Sequence, residues 1–293
     1  MSTNEQHRQA GGTGPAKSTG DRNGGRAHAF MVRAVYGLGY AGIFIACLML
    51  GRVPTAIFVA LMSYLCCLEF YRMMRRDGKV PNELLGLSAA VLFPLSALGD
   101  AVLLTALLFL LVLAIGLWYV YSPRTRIADV AVTMFGPIYT GFMLSAIVLT
   151  RGDMAGFPGA LLSVGVCASL WVSDSLAYIV GSRIGRHKLA PKISPHKSWE
   201  GFIGGILGSC LIWLILLATG LYKLNLPYAL LCGVAVAVLG VFGDLIESRI
   251  KRGVGLKDSG NLIPGHGGML DRSDSLIFGA ITAHLLLTLG GVL

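Results

Sequence analysis

Charge is scarce in this chain. Only 13% of its 293 residues are Asp, Glu, Lys or Arg, while 55% are hydrophobic. Soluble domains run near a quarter charged. One modest core cannot hide so much apolar side chain, so the bilayer is the expected solvent. Cysteine frameworks are lacking as well. Cys47, Cys66, Cys67, Cys167, Cys210 and Cys232 all fall in apolar stretches, and none has zinc-site or disulfide-scaffold spacing. They read as small buried hydrophobes. There is no Gly-x-x-x-x-Gly-Lys-Ser/Thr loop, which excludes a Walker-type phosphate site. There is no internal repeat and no pair of matching halves of the kind secondary transporters often show. Nor does the N-terminus read as a cleaved signal peptide: its polar stretch is too long, and many apolar runs follow the first.

What is present is a series of apolar runs. A helix needs about 20 apolar residues to cross the hydrocarbon core. Candidate spans cover 33–51, 54–72, 83–99, 101–121, 127–149, 159–181, 201–222, 227–247 and 274–293. The third and fourth are parted only by a short turn near Gly99-Asp100, so eight spans remain an alternative to nine. Residues 1–30 are rich in Gly, Ser, Thr, Asn and Arg and read as a disordered polar cytoplasmic tail. The expected fold is an all-α polytopic transmembrane helix bundle over 31–293, with the motif-bearing part at about 160–293.

The net charge is +9, and the basic residues sit in short loops. That pattern points to topology control and to anionic lipid or nucleotide phosphates, not to nucleic acid. With nine spans and a cytoplasmic N-terminus, the outer loops hold only Arg52, Arg151 and Lys223 of the 24 basic residues. A split this lopsided supports that orientation.

Polar residues gather in two loops and the span ends beside them. The first group runs from Ser173-Asp174-Ser175 through Tyr178, Gly181 and Gly185 to Ser194-Pro195-His196-Lys197-Ser198-Trp199-Glu200-Gly201. Asp174 lies inside an apolar span, where an acid costs roughly 2.5–3.5 kcal/mol. Such a residue usually faces a cavity, a cation or a partner. Tyr178 shares its helix face. The second group begins with Asp244, Glu247, Ser248 and Lys251 at i, i+3, i+4 and i+7, a polar stripe on an apolar helix. Arg252, Lys257-Asp258 and Pro264-Gly265-His266-Gly267-Gly268 follow, then Asp271-Arg272-Ser273-Asp274. Oxygen-rich clusters suit Mg²⁺ or a similar hard cation. The simpler reading is that these acids pair with neighbouring Arg and Lys and steady the loops. The glycines permit close backbone approach and an anion nest, or a plain re-entrant turn. Glu69 reads as a structural ion pair with Arg72 and Arg76, and His284 as a satisfied bundle histidine. Pro137 should kink the fifth span.

The stretch Ser248-Arg249-Ile250-Lys251-Arg252, Lys257-Asp258, Gly260, Ile263-Pro264, His266-Gly267-Gly268 and Asp271-Arg272-Ser273-Asp274 resembles the signature of the phosphatidate cytidylyltransferases (CDP-diacylglycerol synthases). Asp174, Ala177-Tyr178, Gly181, Gly185, Ser194-Pro195, Lys197 and Glu200-Gly201 resemble a second block of that family. Ser273 stands where the family usually has an apolar residue or Thr, and His196 and Ser198 where Lys and Thr are common. No carboxylate is lost. The resemblance implies the reaction CTP + phosphatidic acid → CDP-diacylglycerol + pyrophosphate. It implies Mg²⁺ and a second cation on Asp244 and Asp271, with Asp174 a further metal candidate. Lys257 and His266 are then catalytic candidates beside those aspartates. Ser194, Lys197, Lys251, Arg252, Gly267, Gly268, Arg272 and Tyr178 are the substrate-binding candidates. Family habit implies a homodimer in a bacterial inner membrane, with the site on the cytoplasmic side. The alternatives are a CTP-dependent polyprenol-kinase-like lipid enzyme and a transporter.

Overall fold

The computed structural model describes residues 19–99, 101–154, 156–260 and 267–293. Its helices are α1 (Thr19–Leu50), α2 (Arg52–Arg76), α3 (Glu83–Ser96), α4 (Ala101–Tyr121), α5 (Ile127–Pro137), α6 (Ser145–Asp153) and α7 (Gly156–Ile184). After the strands β1 (Lys188–Ala190) and β2 (Ser194–Ser198) come α8 (Trp199–Ala218), α9 (Leu226–Gly253) and α10 (Leu270–Leu289). Every apolar run picked out in the sequence is helical. Among the described residues, six helical stretches are long and apolar enough to cross a membrane: Arg52–Arg76, Val102–Tyr121, Ile127–Gly152, Gly156–Ile184, Trp199–Ala218 and Leu226–Gly253. Val35–Leu50 and Glu83–Ser96 are shorter apolar helices. The 14 residues of α3 reach about 21 Å, less than a typical hydrocarbon core of about 30 Å. The first turns of α10 carry Asp271, Arg272 and Asp274, which lower its hydropathy.

Three local features differ from the sequence expectation. Helix α1 begins at Thr19, within the stretch expected to be disordered, because a helix once nucleated propagates at one bond per residue; residues 1–18 lie outside the described residues. The fold is not purely helical. Pro191 and Pro195 cannot continue a helix, and β1 and β2 form an antiparallel hairpin with Lys188 opposite Ser198 and Ala190 opposite Ser194. Glu200 clamps the hairpin base: its carboxylate accepts from the Arg186 and His187 amides and meets His187 Nδ1 at 2.6 Å. Finally, the kink at Pro137 is a π turn. Helix α5 ends at Pro137, Ile138–Phe142 winds wider, and Met143 N donates to Ile138 O at 3.2 Å.

Loops sort to two opposite ends of the bundle, as alternating spans require. At one end the Arg52 guanidinium donates to Ala97 O, Arg151 Nε to Leu48 O at 2.7 Å, and Tyr222 OH to Pro158 O at 2.9 Å. Two of the three basic residues assigned to outer loops therefore tie off helix ends there. At the other end Arg126 donates to Gly78 O, and Val80 N to Asp129 Oδ1 at 2.8 Å. All the motif residues described lie at this second end. Glycines bring the site-bearing helices together. On α8, a Cβ at Gly201 would lie 2.7 Å from Ala177 O, and one at Gly205 would lie 2.9 Å from Ser173 Oγ. Small residues let membrane helices approach closely in this way, which seats α8 against the Ser173–Ala177 face of α7. Gly243 of α9 lies against the Asp274 carbonyl of α10 by the same logic.

Candidate functional site

The polar stripe on α9 turns two faces of one helix turn toward different partners. Lys197, near the end of β2, reaches Asp244 Oδ2 at 2.5 Å, and Ser248 Oγ donates to Asp244 Oδ1 at 3.2 Å. Ser198 caps α8 by accepting from Gly201 N at 3.2 Å, which fixes where Lys197 leaves the hairpin. Across the gap, Ser275 Oγ donates to Asp174 Oδ2 at 3.1 Å, and Ser275 N donates to Asp274 Oδ1 at 2.7 Å. Asp274 repels both Asp244 and Asp174, while Lys197 and Arg272 attract Asp174. Carboxylates from α7, α9 and α10 thus lie near enough to repel one another, and Lys197 is bonded to the α9 member. The third member of this group is Asp274. Asp271, the metal candidate expected on α10, lies next to this group in the chain.

Asp271 sits one helical turn earlier and is already engaged. Its Oδ1 accepts from Lys251 Nζ at 2.6 Å. Its Oδ2 accepts from Ser259 N at 3.0 Å and from Gly268 N at 2.8 Å. It lies ahead of the apolar run 274–293. Burial opposes its charge, but the Lys251 and Gly268 hydrogen bonds prevail and hold its carboxyl below the usual carboxylate range. Lys251 also lies 2.5 Å from Glu247 Oε2, and Glu247 is fully buried. Lys251 therefore bridges the α9 stripe to the start of α10.

Glu69 corrects the sequence reading. It does not pair with Arg72 or Arg76. Buried on α2, it accepts from Met269 N at 3.0 Å, Leu270 N at 2.9 Å and Ser259 Oγ at 3.0 Å. A carboxylate there satisfies amides at the α10 N-terminus that have no partner within the helix. Glu69 and Asp271 together hold Ser259 and the chain from Gly268 to Leu270. Neither motif nor local spacing marks Glu69 for this task. Its one sequence signal is an acid buried in an apolar run.

The remaining candidates divide. Gly267 takes φ 84°, a conformation glycine adopts freely, so the chain turns sharply into Gly268. Lys257 lines a cavity beside α2. Arg252 donates to Leu256 O at 2.8 Å and closes the end of α9. Tyr178 is 77% exposed, and Ser194 opens β2. His266 lies outside the described residues. His284 meets Thr150 Oγ1 at 3.2 Å, the satisfied bundle histidine expected. The cysteines are all free, and all but Cys47 are buried.

The acidic trio fits a hard cation in donor type: oxygen ligands that repel one another. Among the described residues, no three acidic, His or Cys side chains already enclose a point for an ion. Lys197 occupies an oxygen of Asp244 that such an ion would take.

A membrane-embedded helical bundle that assembles facing carboxylates, ammonium groups and a glycine turn at one end defines a class: an enzyme that brings phosphate anions together. The profile of the cytidylyltransferase family matches residues 31–289, and the chain belongs to that family. It is 34% identical over 249 residues to a protein of Staphylococcus haemolyticus named phosphatidate cytidylyltransferase, covering 84% of this chain and 94% of that one. Proteins of the same name are similar in Synechocystis, 32% identical over 288 residues (88% and 96% of the two chains), and in Bacillus subtilis, 31% identical over 264 residues (88% and 97%). The chain is a nucleotidyltransferase of this family.

Proposed function

We propose that the protein transfers the cytidylyl group of CTP to phosphatidic acid, giving CDP-diacylglycerol and pyrophosphate for phospholipid synthesis. The observation that carries this reading is the Lys197–Asp244 pair on α9 together with the Lys251–Asp271 clamp on the Gly267–Gly268 turn, with Asp174 bonded to the α10 turn that carries Asp274. A phosphatidate oxygen attacks the α-phosphorus of CTP. The bond from that phosphorus to the bridging oxygen breaks, and pyrophosphate leaves with the electron pair. The lipid phosphate is already ionised at neutral pH, so no strong base is required. Repulsion between anions is the obstacle, and positioned cations and in-line alignment lower it. Lys197, Lys251, Lys257 and Arg272 supply positive charge, and Gly267 and Gly268 present backbone close to the phosphates. Mg²⁺, with a second cation, would be held by Asp244, Asp271 and the neighbouring Asp174 and Asp274. It would supply charge neutralisation at the α-phosphate.

The same reading places the protein in a bacterial inner membrane with nine spans, the N-terminus and the site cytoplasmic. Lipid would enter from the inner leaflet and CTP from the cytoplasm. Purified protein given CTP and phosphatidic acid should form CDP-diacylglycerol and pyrophosphate. Asp244→Asn and Asp271→Asn should each lower kcat at least about 100-fold, the scale on which loss of a transition-state charge contact acts. Full turnover by both variants would sink the site assignment, and a phosphorylated alcohol with CDP as products would sink the reaction.

A further inference from the structure

The last turns of α2 and the loop after it carry four basic residues, and the structure treats them in two ways. Arg75 is ion-paired with Glu83, and Lys79 lies 3.4 Å from Asp77. Arg72 and Arg76 have no acidic partner within ion-pair distance among the described residues, and both are exposed. Their i, i+4 spacing puts them on the Glu69 face of the helix. There they line a cavity of about 630 Å³ whose far wall is Leu256, Lys257, Asp258, Ser259 and Gly260. Lys257 likewise has no acidic partner within that distance. Two acids border the cavity. Glu69 is occupied by two amides and a hydroxyl, which leaves Asp258 against three cations. The far wall is tied to the site, because Ser259 donates to Asp271 and to Glu69 at once.

We propose that Arg72 and Arg76, together with Lys257, form a polyphosphate subsite: it takes the β- and γ-phosphates of the nucleotide and holds pyrophosphate until release. The proposal rests on the transfer reaction above and adds α2 to the substrate-binding elements. Guanidinium groups suit this task, since they stay charged and bind phosphate oxygens in pairs. The position suits it as well. The cavity adjoins the Asp271 turn through Ser259, so a nucleotide lying across that turn would carry its tail toward the arginines. Three cations facing a single free carboxylate in one concavity repel one another, and a visiting anion relieves that repulsion.

The test uses the intact protein in detergent, with inorganic pyrophosphate as the probe. Pyrophosphate should raise the melting temperature of the wild-type protein and inhibit competitively with CTP. In the double variant Arg72→Gln/Arg76→Gln, its inhibition constant and the KM for CTP should each rise about tenfold or more. The KM for phosphatidic acid should stay as it is. Arg75→Gln, on the paired face, should behave as wild type, and the single variants give the same reading should the double variant fold poorly. Equal thermal stabilisation of wild type and of the arginine variants by pyrophosphate would overturn the subsite, as would a wild type that pyrophosphate does not stabilise. Binding is read without turnover, so failure of the subsite is separable from failure of the transfer reaction.

Discussion

Glu69 and Lys251 show how single buried charges hold this site. Glu69 reaches across about two hundred residues of sequence to backbone amides at the start of α10, and none of its three bonded partners is a cation. Glu69→Gln keeps the shape but turns an amide group toward amide donors. Hydrogen bonds to charged groups contribute about 1.5–3 kcal/mol, so the variant should melt earlier by that order and lose CDP-diacylglycerol synthesis. An unchanged melting temperature would show that the carboxylate does not hold the turn. Lys251 stands between Glu247 and Asp271, both within 2.6 Å. Lys251→Ala leaves two acids with no cation between them and should destabilise by about 3–5 kcal/mol, measurable by thermal unfolding. The stripe of Asp244, Glu247, Ser248 and Lys251 was legible because four residues of one helix obey its period. The partner of Glu69 was not, because local spacing points to Arg72 and only the packing of α2 on α10 brings Met269 and Leu270 within reach.

Among the elements, the pair α7 and α8 sets the distance between Asp174 and Lys197. Their approach depends on glycines with no room for a side chain. Gly201→Ala would put a methyl 2.7 Å from a backbone carbonyl of α7. Overpacking of this kind costs about 1–3 kcal/mol, more than the helix propensity alanine gains, about 1 kcal/mol. The variant should lower both melting temperature and kcat. Gly116→Ala in α4, where nothing lies within 4 Å, should lower neither. The hairpin β1–β2 and the π turn after Pro137 were only partly legible. Proline tells where a helix must break, but the shape of the break depends on what the freed chain packs against. The hairpin exists because Glu200 collects the Arg186 and His187 amides.

At the scale of the whole molecule, the two ends differ in what they carry. One end ties off helices with Arg52 and Arg151, and the other gathers the acids, the lysines and the glycine turn. In the orientation proposed above, a membrane-impermeant thiol reagent added to intact cells should label Lys223→Cys and leave Ser122→Cys untouched. The opposite pattern would invert the protein. By itself the sequence determined the membrane as solvent and the apolar runs that become helices. Each of these follows from composition or from a period of a few residues, and neither needs a partner distant in the chain. Tertiary structure alone decided that Asp274 joins Asp174 and Asp244, that Asp271 clamps a turn, and that Glu69 caps α10. Those outcomes depend on which helix faces which, a matter of close packing between segments that the linear order keeps far apart.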